Sequence, residues 1–481
     1  MSHPGSGCIG GWRNARRFAA RVGAVAGFLV FLLTALCAAG SPRPNVLFVL
    51  IDDLGYGDFS CTGNREVQTP SIDRLAAEGT RLGQFHVNSP ICSPSRVAFT
   101  TGQYPQRWGI HSYLNSREAN RKRGMSNYLD PAAPAIARAF RQAGYATAHF
   151  GKWHMGGGRD VGDAPLPQAY GFDESLVSFE GLGDRILPPG DLSEQSAKLG
   201  RGKITRVMKH EQTGIYVDRA IDFMRRHTNA PFYMHLWLND VHDPFQPAPG
   251  ATNAYAGKGR NDEDRKLFAV LEEMDRQLGR LFRTVSELGL DSRTLIVLTG
   301  DNGPTAWAHY YKRGIEPPGS TGGDRGRKWS LYEGGIRQPL IVHWPGRVPA
   351  GRVDDSSIVV AVDFLPTLAR MAGIAAPAQP LDGVDMSRVF LGETVTRPGP
   401  VFWEYRQDIK PGNPGDISPQ AAMRDGDWKL LMNQDGSSVE LYDLSKDPVE
   451  SRNLAASEPG RVQKMKRALA KWLAETNKTP P

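Results

Sequence analysis

Asn45-Val-Leu-Phe-Val-Leu-Ile51 followed by Asp52-Asp53 decides the architecture of this chain. A strand with one wet face alternates apolar and polar residues. An unbroken apolar run is a strand buried on both faces, and that places it inside a parallel sheet covered by helices. Comparable runs occupy 231–238, 294–299 and 339–344, each followed by polar or glycine-rich sequence. Helical patterns lie between and after them. Residues 134–142 form one and 262–288 the longest, with Leu267, Val270, Leu271, Met274, Leu278 and Leu281 on one face. A shorter helix, 363–372, is closed by Gly373. The reading is an α/β fold, with a large mixed, mostly parallel sheet flanked by helices. After a linker-like stretch at 375–380, short strand patterns at 401–405, 427–432 and 439–444 and an amphipathic helix near 461–475 predict a smaller antiparallel sheet plus helix. The expected domains are 41–375 and 376–481. In such sheets the loops beyond the strand C-termini build the site.

With 481 residues, 40% hydrophobic and 23% charged, the chain is globular and long enough for two or three domains. Its net charge of +7 is inflated at one end. Residues 1–40 hold Arg13, Arg16, Arg17 and Arg21 and no acid, then the apolar run 22–39 and the small exit Ala38-Ala39-Gly40. That is a signal peptide over 1–40, so the protein is expected to be exported, periplasmic or secreted. The run is short for a stable membrane span and Pro42-Arg43-Pro44 ends it. A lipid anchor at Cys37 is disfavoured by the bulky Leu36 before it. Without the signal, 54 basic residues face 51 acidic ones, a balance of +3. No zinc-finger spacing, RNA-binding signature or basic helix accompanies it, so no nucleic-acid partner is expected. Of four cysteines, Cys8 and Cys37 lie in the signal and Cys61 and Cys92 remain. A Cys61–Cys92 bridge is the plain reading of that pair, and the residues around Cys92 argue against it.

Asp52-Asp53 at a strand end places two carboxylates where they repel, and a cation is the usual way to hold them. Asp301-Asn302-Gly303 repeats the arrangement after the 294–299 run. If both strand ends meet at one rim they offer three carboxylates and an amide carbonyl. An all-oxygen set selects a hard cation, Ca²⁺ in preference to Mg²⁺. Taken singly, each pair also reads as a solvated turn. Cys92-Ser93-Pro94-Ser95-Arg96, continuing to Gly102-Gln103-Tyr104-Pro105, is the most specific string in the chain.

This extended pattern resembles the signature of the formylglycine-dependent sulfatases of the alkaline phosphatase superfamily, of the arylsulfatase A-like and N-acetylgalactosamine-6-sulfatase-like kind. Other family elements follow in order: Gly151-Lys152-Trp153-His154, Val241-His242-Asp243-Pro244, Lys328 five residues before Glu333-Gly-Gly, and Gly426-Asp427-Trp428-Lys429 near the C-terminus. The resemblance implies an alkaline phosphatase-like fold and conversion of Cys92 to 3-oxoalanine (formylglycine) by a formylglycine-generating enzyme. It implies that Asp52, Asp53, Asp301, Asn302 and modified Cys92 bind Ca²⁺. It implies catalytic roles for Cys92, Arg96, Lys152, His154, His242 and Lys328. Here Arg96 holds the nucleophile and nearby carboxylates, Lys152 and Lys328 bind sulfate oxygens, His242 is the general acid and His154 assists release of sulfate, with the two histidine roles exchangeable. Glu333 with Arg337 reads as a structural salt bridge.

The expected substrate is a sulfated carbohydrate. Loops 115–127, 158–189 and 306–326 set its shape, and Trp108, Trp153, Trp307 and Trp329 lie near site segments. The basic cluster Arg117, Arg121, Lys122 and Arg123 is suited to a polyanionic chain, whereas Arg201, Lys203, Arg206 and Lys209 read as a solvated face. Two alternatives stand: a phosphodiester or phosphonate monoester hydrolase of the same superfamily, and a non-catalytic sulfated-glycan binding protein.

Overall fold

A computed structural model describes residues 43–190 and 192–477, so the segment read as a signal peptide, with Cys37, lies outside the described residues. The main sheet contains β1 (Asn45–Ile51), β2 (Thr80–His86), β3 (Ala146–Lys152), β4 (Glu174–Ser178), β5 (Arg185–Leu187), β6 (Ile204–Arg206), β7 (Phe232–Leu238), β8 (Thr294–Gly300), β9 (Arg337–His343), β10 (Arg352–Asp354) and β11 (Val359–Val360). The order is β10-β2-β9-β8-β1-β7-β3-β4-β5-β6, with β11 also on β2. Only β9 runs antiparallel to its neighbours β2 and β8; the other pairings are parallel. The fold is thus the mixed, mostly parallel α/β sheet expected.

The opening run occupies the middle, and its residues divide between two cores. Val46, Phe48 and Leu50 pack on one face with the Cys92–Thr101 and Phe364–Met371 helices. Leu47, Val49 and Ile51 pack on the other with the Pro70–Ala77, Gln212–Arg226 and Asp262–Glu287 helices. All seven residues of β1 are buried, each large apolar side chain contributing about 1.5–3 kcal/mol. The Asp262–Glu287 helix starts where Asn261 accepts from the Glu263 and Asp264 amides, an N-cap followed by an acidic first turn. Its six expected apolar residues are buried.

A second, antiparallel sheet follows: β12 (Val401–Glu404), β13 (Ala421–Asp425), β14 (Trp428–Met432) and β15 (Glu440–Asp443), in that order. With the Pro459–Thr476 helix it joins the first core through Trp403, Leu430, Leu469 and Trp472. Among the described residues no helix is long and apolar enough to cross a membrane.

Candidate active site

Parallel pairing of β1 with β8 sets Ile51 opposite Gly300. The two acidic segments therefore leave the sheet side by side, and the Asp53 amide donates to Asp301 Oδ1 at 3.1 Å. Asp53 holds this position with φ +59, a left-handed conformation Asp tolerates better than most residues. Gly303 is required for close approach, since a Cβ there would meet the Gly334 carbonyl at 2.0 Å. Both strand tips thus share one rim.

Cys92 opens the Cys92–Thr101 helix below that rim. Its Sγ lies 3.3 Å from Asp52 Oδ1 and 3.9 Å from Asp53 Oδ1. Arg96, one turn later on the same face, reaches Asp301 Oδ2 with Nε at 3.0 Å and Nη2 at 2.7 Å. Its Nη1 donates to the Lys152 carbonyl at 2.9 Å. Lys152 ends β3, where a Cβ on Gly151 would collide with the Trp237 carbonyl at 1.9 Å. Its ammonium contacts Asp52 Oδ2 at 2.5 Å and Cys92 Sγ at 3.4 Å. Lys328 lies opposite, with Nζ 2.5 and 2.6 Å from the two Asp53 oxygens and 3.7 Å from Cys92 Sγ. The turn after β7 brings His242 Nε2 to 3.7 Å from Asp53 Oδ2, while its Nδ1 lies 2.6 Å from the Asp243 carbonyl. Cys61 and Cys92 are both free thiols, so the bridge does not form.

Burial raises the Asp52 pKa, but Lys152, His242, Arg96 and Lys328 together pull it well below the usual carboxylate range. Burial and the Asp52 charge raise Asp301 to about 7 against Arg96. Burial, then the Asp52 charge, push the Cys92 thiol up, so it is not a thiolate nucleophile. Burial, then Lys152 and Arg96, hold the His154 imidazole neutral.

Three carboxylates and three permanent cations converge here, and a divalent cation fits the remaining acceptors. Ligand atoms of Asp52, Asp53, Cys92 and His242 lie within 4.8 Å of one another. Asn302 donates through Nδ2 to Asp53 Oδ1 and the Gly303 carbonyl. Its buried Oδ1 has no hydrogen-bond partner, and a buried carbonyl of that kind calls for a cation or donor. His242, read from sequence as an acid, falls within this group. Asp301 lies beside it with Oδ1 on the Asp53 amide and Oδ2 on Arg96.

The residues 44–374 match the family model described as sulfatase, and 326–479 match the one described as N-sulphoglucosamine sulphohydrolase, C-terminal. The chain belongs to the sulfatase family. It is 31% identical to arylsulfatase A of Bos taurus over 89% of this chain and 86% of that enzyme. It is 28% identical to N-acetylgalactosamine-6-O-sulfatase of Bacteroides thetaiotaomicron over 89% of this chain and 93% of that one. Among solved structures, that of Ps i-CgsB in complex with k-i-k-neocarrahexaose superposes with a TM-score of 0.74 at 27% identity, covering 91% of this chain and 94% of that one. The protein is an enzyme of the sulfuric ester hydrolase class.

The sulfatase site opens into a cavity of about 340 Å³ lined by Asp52, His242, Phe179, Asn239, Asp243 and Trp307, among others. Of the four tryptophans singled out, Trp307 alone lines it; Trp153 and Trp329 are core residues, and half-buried Trp108 donates to Gln103. Lys209, grouped with a solvated basic run in the sequence, is buried and lines the cavity. Its ammonium donates to the His242 carbonyl and, at 2.8 Å, to that of Pro244, fixing the turn that carries His242. Only its place just before the Gln212–Arg226 helix, hidden in a run of charges, could have marked it. The expected Glu333–Arg337 bridge is replaced. Glu333 pairs with Lys429 at 2.8 Å and His86 at 2.7 Å, and Arg337 with Asp324 at 2.7 Å. Glu333 opens a short helix turned toward the second sheet, whereas Arg337 already belongs to β9.

Proposed function

We propose that this sulfatase removes sulfate from a sulfated carbohydrate, with residue 92 acting as a formylglycine hydrate and Asp52, Asp53, Asp301, Asn302 and residue 92 holding Ca²⁺. The observation that carries the reading is the convergence on Cys92 Sγ of two carboxylates and two ammonium groups, all within 4 Å, beside an unpartnered Asn302 carbonyl. When bound, the cation gives the balanced site a net positive charge for the anionic ester and lowers the pKa of the nucleophile's hydroxyl.

One hydroxyl of the hydrate gives its proton to solvent and its oxygen attacks sulfur, while the bond from sulfur to the alcohol oxygen breaks. Lys152 and Lys328 stabilise charge on the sulfate oxygens, the largest kind of catalytic term. His242 protonates the leaving alcohol. Its Nδ1 is held by the Asp243 carbonyl, which leaves Nε2 to carry the proton; burial lowers its pKa to about 3 against the pull of Asp53, and the negative charge of a bound ester raises its affinity for a proton. His154, neutral and with both ring nitrogens unpartnered, takes the proton of the second hydroxyl. The carbon–oxygen bond to sulfate then breaks, the aldehyde returns and water hydrates it. Covalent catalysis of this kind splits one hard step into two. The run at 22–39 with its basic flank supports export to the periplasm or medium, where a sulfated polysaccharide is met.

The test is mass spectrometry of the peptide containing residue 92, from protein coexpressed with a formylglycine-generating enzyme. Conversion lowers the mass by roughly 18 Da relative to the thiol and abolishes alkylation. Rates on matched aryl esters complete it. A fully alkylatable Cys92 in active enzyme, or higher efficiency on a phosphodiester than on a sulfate, overturns the reading.

A further inference from the structure

We infer that the ring carrying the scissile sulfate bears no other negative charge: the site takes a monosulfated, otherwise uncharged sugar ring. This rests on the sulfatase reading and concerns the cavity outside the reacting atoms.

Beyond Asp52 and His242, the cavity lining holds one lysine, Lys209, one carboxylate, Asp243, and no arginine among the described residues. The one lysine is buried, and its ammonium is committed to the His242 and Pro244 carbonyls. The one carboxylate is Asp243, which accepts from the Tyr310 hydroxyl and, among the described residues, forms no ion pair. A second sulfate or a uronate on the bound ring would face that carboxylate, and among the lining residues the one permanent cation is the committed Lys209, an arrangement that discriminates by repulsion.

Asn239 is 4% exposed and lines the cavity; its Nδ2 donates to Gln212 at 3.2 Å, and its Oδ1 has no hydrogen-bond partner. A buried acceptor of this kind is built for a donor, and a ring hydroxyl is one where a sulfate or carboxylate is not. Gln195 and Gln246 add amides that both give and accept. Trp307 and Phe179 supply the apolar wall against which the C–H face of a pyranose packs.

Three of the four basic side chains at 117–123 are engaged elsewhere. Arg117 pairs with Asp163, Lys122 with Glu118 and Arg123 with Asp408, and none of the three lines the cavity.

The experiment compares kcat/KM of the mature enzyme on a 4-nitrophenyl monosulfated galactoside, the same glycoside with a second sulfate on the ring, and 4-nitrophenyl sulfate as a ringless control. The second sulfate is expected to lower kcat/KM by about tenfold or more, and Asp243→Asn to recover about threefold of that loss. Asn239→Ala is expected to lower kcat/KM for the monosulfated glycoside about tenfold further than for the ringless ester. Equal or faster turnover of the disulfated ring, or an Asn239→Ala effect equal on glycoside and ringless ester, overturns the inference while leaving the sulfatase chemistry standing. Formylglycine-containing enzyme that cleaves none of the three overturns both.

Discussion

Among the described residues, two networks of buried charge, each of at least five groups, differ in one respect. At the strand tips, Asp52, Asp53 and Asp301 face Arg96, Lys152 and Lys328. Between the two sheets, Glu333 and Glu450 face Lys429, Arg424 and His86. In the second cluster one ammonium bridges two carboxylates at 2.8 Å each. It joins β14 of the small sheet to the turn that follows Lys328, and so ties the C-terminal sheet to the loop that carries Lys328 to the rim. The first cluster borders a cavity and keeps an Asn302 carbonyl and both nitrogens of His154 unpartnered. Burial of charge alone therefore does not mark a reactive centre. Burial beside an opening does, since the second cluster also holds an unpartnered nitrogen, His86 Nδ1.

The comparison breaks first at Cys92. Cys92→Ala is expected to lower kcat by about 10⁴-fold or more, because no other group at the rim can become an aldehyde hydrate, while thermal unfolding changes little. A variant that keeps a few per cent of activity rejects the nucleophile. At the other cluster the loss should be one of stability. Lys429→Met leaves Glu333 and Glu450 buried without their shared cation, and losing one partner of such a network costs about 3–5 kcal/mol. Urea unfolding reads it directly; a loss below about 1 kcal/mol would mean that His86 and Arg424 suffice.

The two clusters were unequally legible in sequence. β1 and β8 are almost wholly apolar runs, and their tips carry the acids, so half of the reactive rim could be read from residues 45–53 and 294–302. β3, which delivers Lys152, reads Ala-Thr-Ala-His-Phe-Gly-Lys. Small residues and a buried histidine replace the branched apolar pattern, because Gly151 lies against Trp237 and His149 packs among Trp153, Phe172 and Trp237. Lys152 and His154 were accessible through the motif resemblance and not through periodicity. β4, β5 and β6 are three to five residues long and leave no pattern above loop sequence. The second cluster was mostly invisible. Glu333 and Lys429 lie 96 residues apart, and spacing offered Arg337, four residues on, as the simpler partner.

Metal removal sharpens the contrast at the rim. Stripping the proposed Ca²⁺ with a chelator should lower the unfolding midpoint reversibly, since an ion bound only by the folded state at a hundredfold excess over its Kd contributes about 2.7 kcal/mol. Asn302→Leu, which deletes the unpartnered carbonyl, should abolish the difference between stripped and reloaded protein. If the variant still gains the full increment from Ca²⁺, Asn302 is not a ligand.

The smallest effect expected is a pH dependence at the inter-sheet cluster. Burial raises Glu450 to about 7, with Glu333 adding to the rise and Lys429 opposing it. A carboxyl whose folded pKa is raised contributes stability that is complete below its unfolded value near 4.5 and is lost as pH climbs through about 7. His86 is opposite in sign. Burial lowers it to about 4 against the pull of Glu333, so its contribution is present above 6.5 and is lost as pH falls toward 4. The difference between wild type and Glu450→Gln cancels the histidine and isolates the acid. From pH 5 to 8 the wild type should lose about 1–2 kcal/mol relative to the variant, whose amide imitates the protonated carboxyl. Parallel curves across that range would mean that Glu450 is ionised throughout and that Lys429 neutralises both carboxylates. The cluster would then be a pure ion-pair clamp, and its resemblance to the reactive rim would be closer than the geometry suggests.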